Sequence, residues 1–70
     1  MQDPMQIEVN GESRTLAQPT SLAELLEQAG LAQKRVAIEL NGEIVPRSLH
    51  ANRALKEGDR IEIVHALGGG

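Results

Sequence analysis

Apolar and polar residues alternate with period two in three stretches of the chain. Met5, Ile7 and Val9 share one face while Gln6 and Glu8 take the other, the pattern of a half-buried strand. Asn10-Gly11 follows, and both residue types tolerate the positive φ angles of a two-residue type I′ turn. Glu12 to Leu16 then returns as a second, antiparallel strand, carried mainly by Leu16. Val36, Ile38 and Leu40 alternate again, with Asn41-Gly42 as a second turn of the same kind. Glu43 to Val45 is a short strand that Pro46 ends, because proline has no N–H for a ladder. Ser48 to Leu55 reads as irregular with a single helical turn near Ala54-Leu55, Lys56 to Asp59 as a tight turn, and Arg60 to Ala66 as the last strand with Ile61 and Ile63 inward.

One segment has helical spacing. Leu22, Leu25, Leu26 and Ala29 recur on one face, with Glu24, Glu27 and Gln28 outside. Ser21 and Glu24 stand three apart before this run, as a capping box requires, and Gly30 suits the left-handed residue after a helix. Acids near the helix start suit the macrodipole and need no further role. So short a helix is marginal alone and needs a sheet to lie on. The order hairpin, helix, strand, short strand, strand predicts an α+β fold of β-grasp layout, a mixed sheet of four to five strands with one crossing helix. The right-handed crossover rule predicts that the strand after the helix runs parallel to a hairpin strand. Residues 1–4 lie outside this pattern and read as an extension or remnant; residues 5–67 form the domain, and 68–70 a glycine tail.

Composition narrows the function. The chain has 70 residues, no aromatic residue and no cysteine, and its net charge is −3. Its core must come from Leu, Ile and Val, with Met5 as filler, and that is too little for a core plus a deep enclosed pocket. Disulfides, thiolate chemistry and a cysteine metal site are excluded. Without a basic patch or a stacking platform both common routes to nucleic acid are weak. No apolar run approaches a membrane span and no leader pattern is visible, so a soluble, cytoplasmic protein is expected. His50 and His65 have no metal-ligand spacing, and no Ser-His-acid grouping is evident. His65, in phase with Ile61 and Ile63, is expected to be a partly buried, hydrogen-bonded side chain.

The ending Gly68-Gly69-Gly70 carries two readings. It is either a frayed terminus or a reactive one. Glycine has no Cβ, so such a tail passes through a tunnel too narrow for side chains. Extended, residues 66–70 reach roughly 16 Å, enough to enter another protein's active site while the body stays outside. The α-carboxyl group, with a pKa of about 3.5, is ionised at neutral pH and can attack an activated phosphate. The chain has no phosphate loop of its own, so the activating enzyme must be a separate protein. If Ile61 and Ile63 face the helix, Val64 and Ala66 face away, and Leu67 precedes the glycines. That strip, beside Ala37 and Glu39 on the outer face, is a docking surface or ordinary surface apolarity.

Several stretches in combination carry a family resemblance: the opening Met-Gln-Ile strand with Asn10-Gly11, the helix from Leu22 to Leu26, the segment from Val36 through Asn41-Gly42-Glu43-Ile44-Val45-Pro46-Arg47 to Ser48, the pair Gly58-Asp59, and Val64-His65-Ala66-Leu67-Gly68-Gly69-Gly70. From Met5 to Gly70 the chain resembles the ThiS family, the ubiquitin-like β-grasp sulfur carriers of thiamin biosynthesis. Residues 1–4 have no counterpart there, and some relatives end in two glycines where this chain has three. The resemblance implies that an E1-like adenylyltransferase (ThiF-like) adenylates the Gly70 carboxylate with ATP-Mg. A persulfide sulfur, drawn from cysteine by a desulfurase, then displaces AMP and leaves a thiocarboxylate, and a thiazole synthase (ThiG-like) takes that sulfur. On this reading Gly70 reacts, Gly68 and Gly69 thread the partner's site, and Val64, Ala66 and Leu67 dock. The chain is then a co-substrate and not an enzyme, without a cofactor of its own and without nucleic-acid or membrane partners. The alternatives are a carrier for molybdopterin or another sulfur-containing product, a lysine-linked protein modifier, and a passive ubiquitin-like interaction module.

Overall fold

The computed structural model describes residues 3–65. Five strands, β1 (Met5–Val9), β2 (Glu12–Leu16), β3 (Val36–Leu40), β4 (Glu43–Val45) and β5 (Arg60–His65), form one sheet in the order β2-β1-β5-β3-β4. A seven-residue helix, α1 (Leu22–Gln28), packs on one face. The fold is the expected α+β layout, and the sheet has five strands.

Both Asn-Gly turns adopt the predicted geometry. Asn10 and Gly11 have φ of 51° and 83°, and Asn41 and Gly42 have 53° and 88°, so each turn places two consecutive residues in the left-handed region, as type I′ requires. The hairpin registers follow, with Val9 opposite Glu12 and Leu40 opposite Glu43.

The capping box is complete at both bonds. The Ser21 hydroxyl accepts from the Glu24 N–H at 3.1 Å, and the Glu24 carboxylate accepts from the Ser21 N–H at 2.8 Å. Ala29 is the C-cap and lies exposed, outside the apolar face assigned to it by spacing, while Gly30 carries the positive φ after the helix. Leu22, Leu25 and Leu26 are the buried face. They meet Ile7 and Val9 of β1, Leu16 of β2, Ile38 and Leu40 of β3, and Ile61 and Ile63 of β5 in a single cluster that also takes in Leu55. Met5, Val36 and Val45 pack against its edge.

The strand after the helix, β3, runs parallel in direction to the hairpin strand β2, as the crossover rule predicts, but it does not lie beside the hairpin. β3 runs antiparallel to β5, and β5 itself lies parallel beside β1, with Glu8 opposite Arg60 and Val9 opposite Ile61. The last strand to be synthesised thus fills the middle of the sheet. The helical turn also lies earlier than expected, as a 3-10 helix over Arg47–Asn52. Pro46, with φ of −58°, both ends β4 and starts this helix, and its carbonyl accepts from the Leu49 N–H at 2.9 Å. Ala54 and Leu55 are extended instead. Ala54 bridges to Ser21, and the Leu55 N–H donates to the Thr20 carbonyl at 2.9 Å, which ties the approach to α1 against the return of the chain.

Leu25 is fully buried under the sheet. Truncation to alanine is expected to cost about 2–5 kcal/mol through lost transfer energy and a residual cavity. Urea denaturation should show this as a lower midpoint at an unchanged slope.

Candidate functional site

The candidate site is the C-terminal end of β5 and the outer face of the sheet around it. Because Ile61 and Ile63 point to α1, Arg60, Glu62 and Val64 point away from it. Val64 is 58% exposed, which leaves its isopropyl group on the surface as expected. Ala66, Leu67, Gly68, Gly69 and Gly70, the remaining residues assigned to docking, threading and reaction, lie outside the described residues.

The register builds the surroundings of Val64. Ala37 of β3 stands directly opposite it, and Glu39 stands opposite Glu62. Glu39 is in turn opposite Ile44 of β4. Ile44 is 71% exposed, more than Val64. The outer face therefore carries Val64, Ala37 and Ile44 around two facing carboxylates. Like charges in directly opposed positions cost a few tenths of a kcal/mol, so this face is not arranged for the stability of the isolated domain. Sequence reasoning passed over Ile44. The signal was available, since Val45 continues the inward phase of β4 and its neighbour must then point outward.

The role expected of His65 falls to His50 instead. His65 is exposed. It is in phase with Ile61 and Ile63, but its partner across the ladder is Val36, which is itself only half-buried at the margin of the core. His50 is the buried histidine, at 6% exposure, and its Nε2 donates to the Val45 carbonyl at 2.9 Å. This bond joins the 3-10 helix to the end of β4. His50 is thus a structural strut.

Among the described residues no three His, Cys, Asp or Glu side chains come together to hold a metal ion. Two surface hollows, of about 190 and about 220 Å³, lie beside β4 and between α1 and the 3-10 helix. Both are smaller than the roughly 300 Å³ at which small-molecule sites begin. No helix among the described residues is long and apolar enough to cross a membrane. What the described domain offers is a folded body with an exposed sheet face, and a central strand whose last described residue is His65.

Replacing His50 by alanine is expected to cost about 1–3 kcal/mol, because the Val45 carbonyl loses its donor. His65→Ala should stay within about 0.5 kcal/mol. Paired thermal or urea melts of the two variants check the assignment.

Comparison with known proteins gives consistent results. The model of the ThiS family matches residues 7–70. The sulfur carrier protein ThiS of Escherichia coli is 35% identical over 66 residues, which cover 94% of this chain and all of that one. A thiazole synthase of Paramagnetospirillum magneticum is 41% identical over 66 residues, again 94% of this chain but 20% of the synthase, so the chain spans about a fifth of that protein's length. Among solved structures, the crystal structure of the thiamine biosynthesis protein ThiS from Geobacter metallireducens superposes with a TM-score of 0.81 at 36% identity, over 94% of this chain and 100% of that one.

Proposed function

The chain belongs to the ThiS family, the sulfur carriers of thiamin biosynthesis, and on that premise we propose that its own Gly70 carboxylate is the group that carries the sulfur. The observation that bears most weight is the family match running through residue 70, so that it takes in Gly68, Gly69 and Gly70.

The chemistry needs two activations. A carboxylate is a poor acylating agent, so an E1-like adenylyltransferase supplies ATP-Mg. A Gly70 carboxylate oxygen attacks the α-phosphorus and pyrophosphate leaves. The terminal sulfur of a persulfide, formed from cysteine by a desulfurase, then attacks the acyl carbon and AMP leaves with its bonding pair. A thiol cuts the remaining S–S bond and is oxidised to the disulfide, and the thiocarboxylate departs. A thiazole synthase takes up that sulfur, and the carboxylate is restored for the next round. A segment similar to this chain forms a fifth of a protein named thiazole synthase, which supports that acceptor. The whole cycle runs between cytoplasmic proteins.

The body's part is recognition. Binding energy from the sheet face is used at a remote reacting centre, so it holds the tail in the partner's site without taking part in bond making. Val64, with Ala66 and Leu67 beyond it, docks, and Gly68 and Gly69 thread a passage that side chains would block.

Intact mass of the protein purified from thiamin-starved cells should rise by the difference between one sulfur and one oxygen. Deletion of Gly70, or a C-terminal tag, should abolish this shift and thiamin-independent growth while the melting curve stays unchanged. An unaltered mass, a ladder of lysine conjugates, or growth rescue by the tagged protein would overturn the reading.

Val64→Asp places a charge in an apolar docking patch. It should weaken capture by the adenylyltransferase at least about tenfold, as loss of an interface anchor does, with stability within about 0.5 kcal/mol at so exposed a site. Titration by calorimetry reads the first and a urea melt the second.

A further inference from the structure

Asn10 does more than make a turn. Its backbone N–H donates to the Ile61 carbonyl at 2.9 Å, the last main-chain bond between β1 and β5 outside their register pairs. In a regular parallel ladder the next acceptor for β5 would be the main-chain carbonyl of residue 10. Asn10 has already turned away, with φ of 51°. Its side chain takes over instead. Oδ1 accepts from the Ile63 N–H at 2.7 Å, and Nδ2 donates to the Ile63 carbonyl at 3.3 Å. One side-chain amide thus stands in for a strand residue, across 53 positions of sequence.

Position gives this clamp its meaning. Beyond Asn10 the chain folds back into β2, and among the described residues nothing on that side of β5 pairs with a residue after Ile63. Because Ile63 turns both its main-chain groups to Asn10, its place opposite Ile38 is a non-hydrogen-bonded pair. The Ile63 N–H therefore depends on Asn10 for its partner. The clamp sits two residues before the last described position of β5, and seven before Gly70. An Asn at this turn is also more than positive φ demands, since glycine adopts that conformation without strain.

We propose that Asn10 is a positioning residue for the reaction at Gly70. It pins the β1-facing edge of β5 at Ile63, beyond which only β3 pairs with the strand among the described residues, and so steadies the strand end that precedes Gly70. Each residue released from the sheet gains backbone freedom that must be lost again in the partner's site, and misplacement of a reacting group lowers the rate of the chemical step. The inference rests on the sulfur-carrier reading given above.

Asn10→Gly separates the clamp from the turn: it keeps the type I′ geometry and removes both side-chain bonds. Asn41→Gly, which makes the same change at the other end of β5, is the control. In Asn10→Gly, amide hydrogen exchange at Ile63 should speed up by about tenfold while Ile61 is unchanged. With the E1-like adenylyltransferase and ATP-Mg, pyrophosphate release at saturating carrier should fall on the order of tenfold, with the half-saturating carrier concentration within about twofold of wild type. Asn41→Gly should leave pyrophosphate release unchanged. Equal turnover of Asn10→Gly and wild type overturns the positioning role, as does unchanged exchange at Ile63 or an equal loss in Asn41→Gly. A wild-type chain that releases no pyrophosphate overturns the sulfur-carrier reading and the role that depends on it, and that result is distinct from a loss confined to the variant.

Discussion

The domain depends on keeping β5 in the middle of its sheet. The strand is last in sequence and third in spatial order, so every bond to it closes a long loop. β1 pairs with it at only two register positions. β3 pairs with it at five positions on the other side, and side chains in the two turns add to this fastening. Asn41, at the far end of β3, accepts from the Arg60 N–H through Oδ1 at 2.8 Å and donates through Nδ2 to Asp59 at 3.0 Å. Asp59 is buried, and its other carboxylate oxygen accepts from the Lys56 N–H at 2.7 Å. Asn10 does the corresponding work at the other end. Each hairpin turn therefore secures one end of a strand that belongs to neither hairpin. A polar group that replaces a missing ladder partner avoids the penalty of a buried, unsatisfied amide, which is larger than the net gain of an ordinary hydrogen bond.

Local chemistry made most of the fold legible. Period-two alternation located β1, β3 and β5, because each has one face on the core, while the Asn-Gly turns placed β2 and β4 beside them. The capping box and Gly30 bounded the helix, because caps are satisfied by residues three or four positions away. What escaped is long-range. The two Asn-Gly pairs were legible as turns, but their amides reach strand residues 53 and 19 positions on. The parallel partner of β1 depends on which strand enters the sheet centre, and no short-range pattern encodes that choice. His65 was in phase for burial yet sits where the core ends, whereas His50 is buried from a 3-10 helix that has no strong periodicity of its own.

At the site, the exposure of Val64 was legible from phase alone, while its company was not. Ile44, Ala37, Glu39 and Glu62 come together only through the β4-β3-β5 register. Glu39 and Glu62 stand opposite each other in that register and give the outer face its acidic centre between Val64 and Ile44.

A division of labour follows from these constraints. Among the described residues the domain has one small core cluster. On the reading proposed above, recognition falls to the outer sheet face and steadiness to the clamps on β5. The two tasks use different parts of the same strand: Val64 projects from its face, while Ile63 is held through its backbone. A substitution at Val64 therefore changes the face without touching the Asn10 bonds, and one at Asn10 frees Ile63 without changing the face. On that reading, a partner can bind the outer sheet face without disturbing the backbone bonds that hold Ile63.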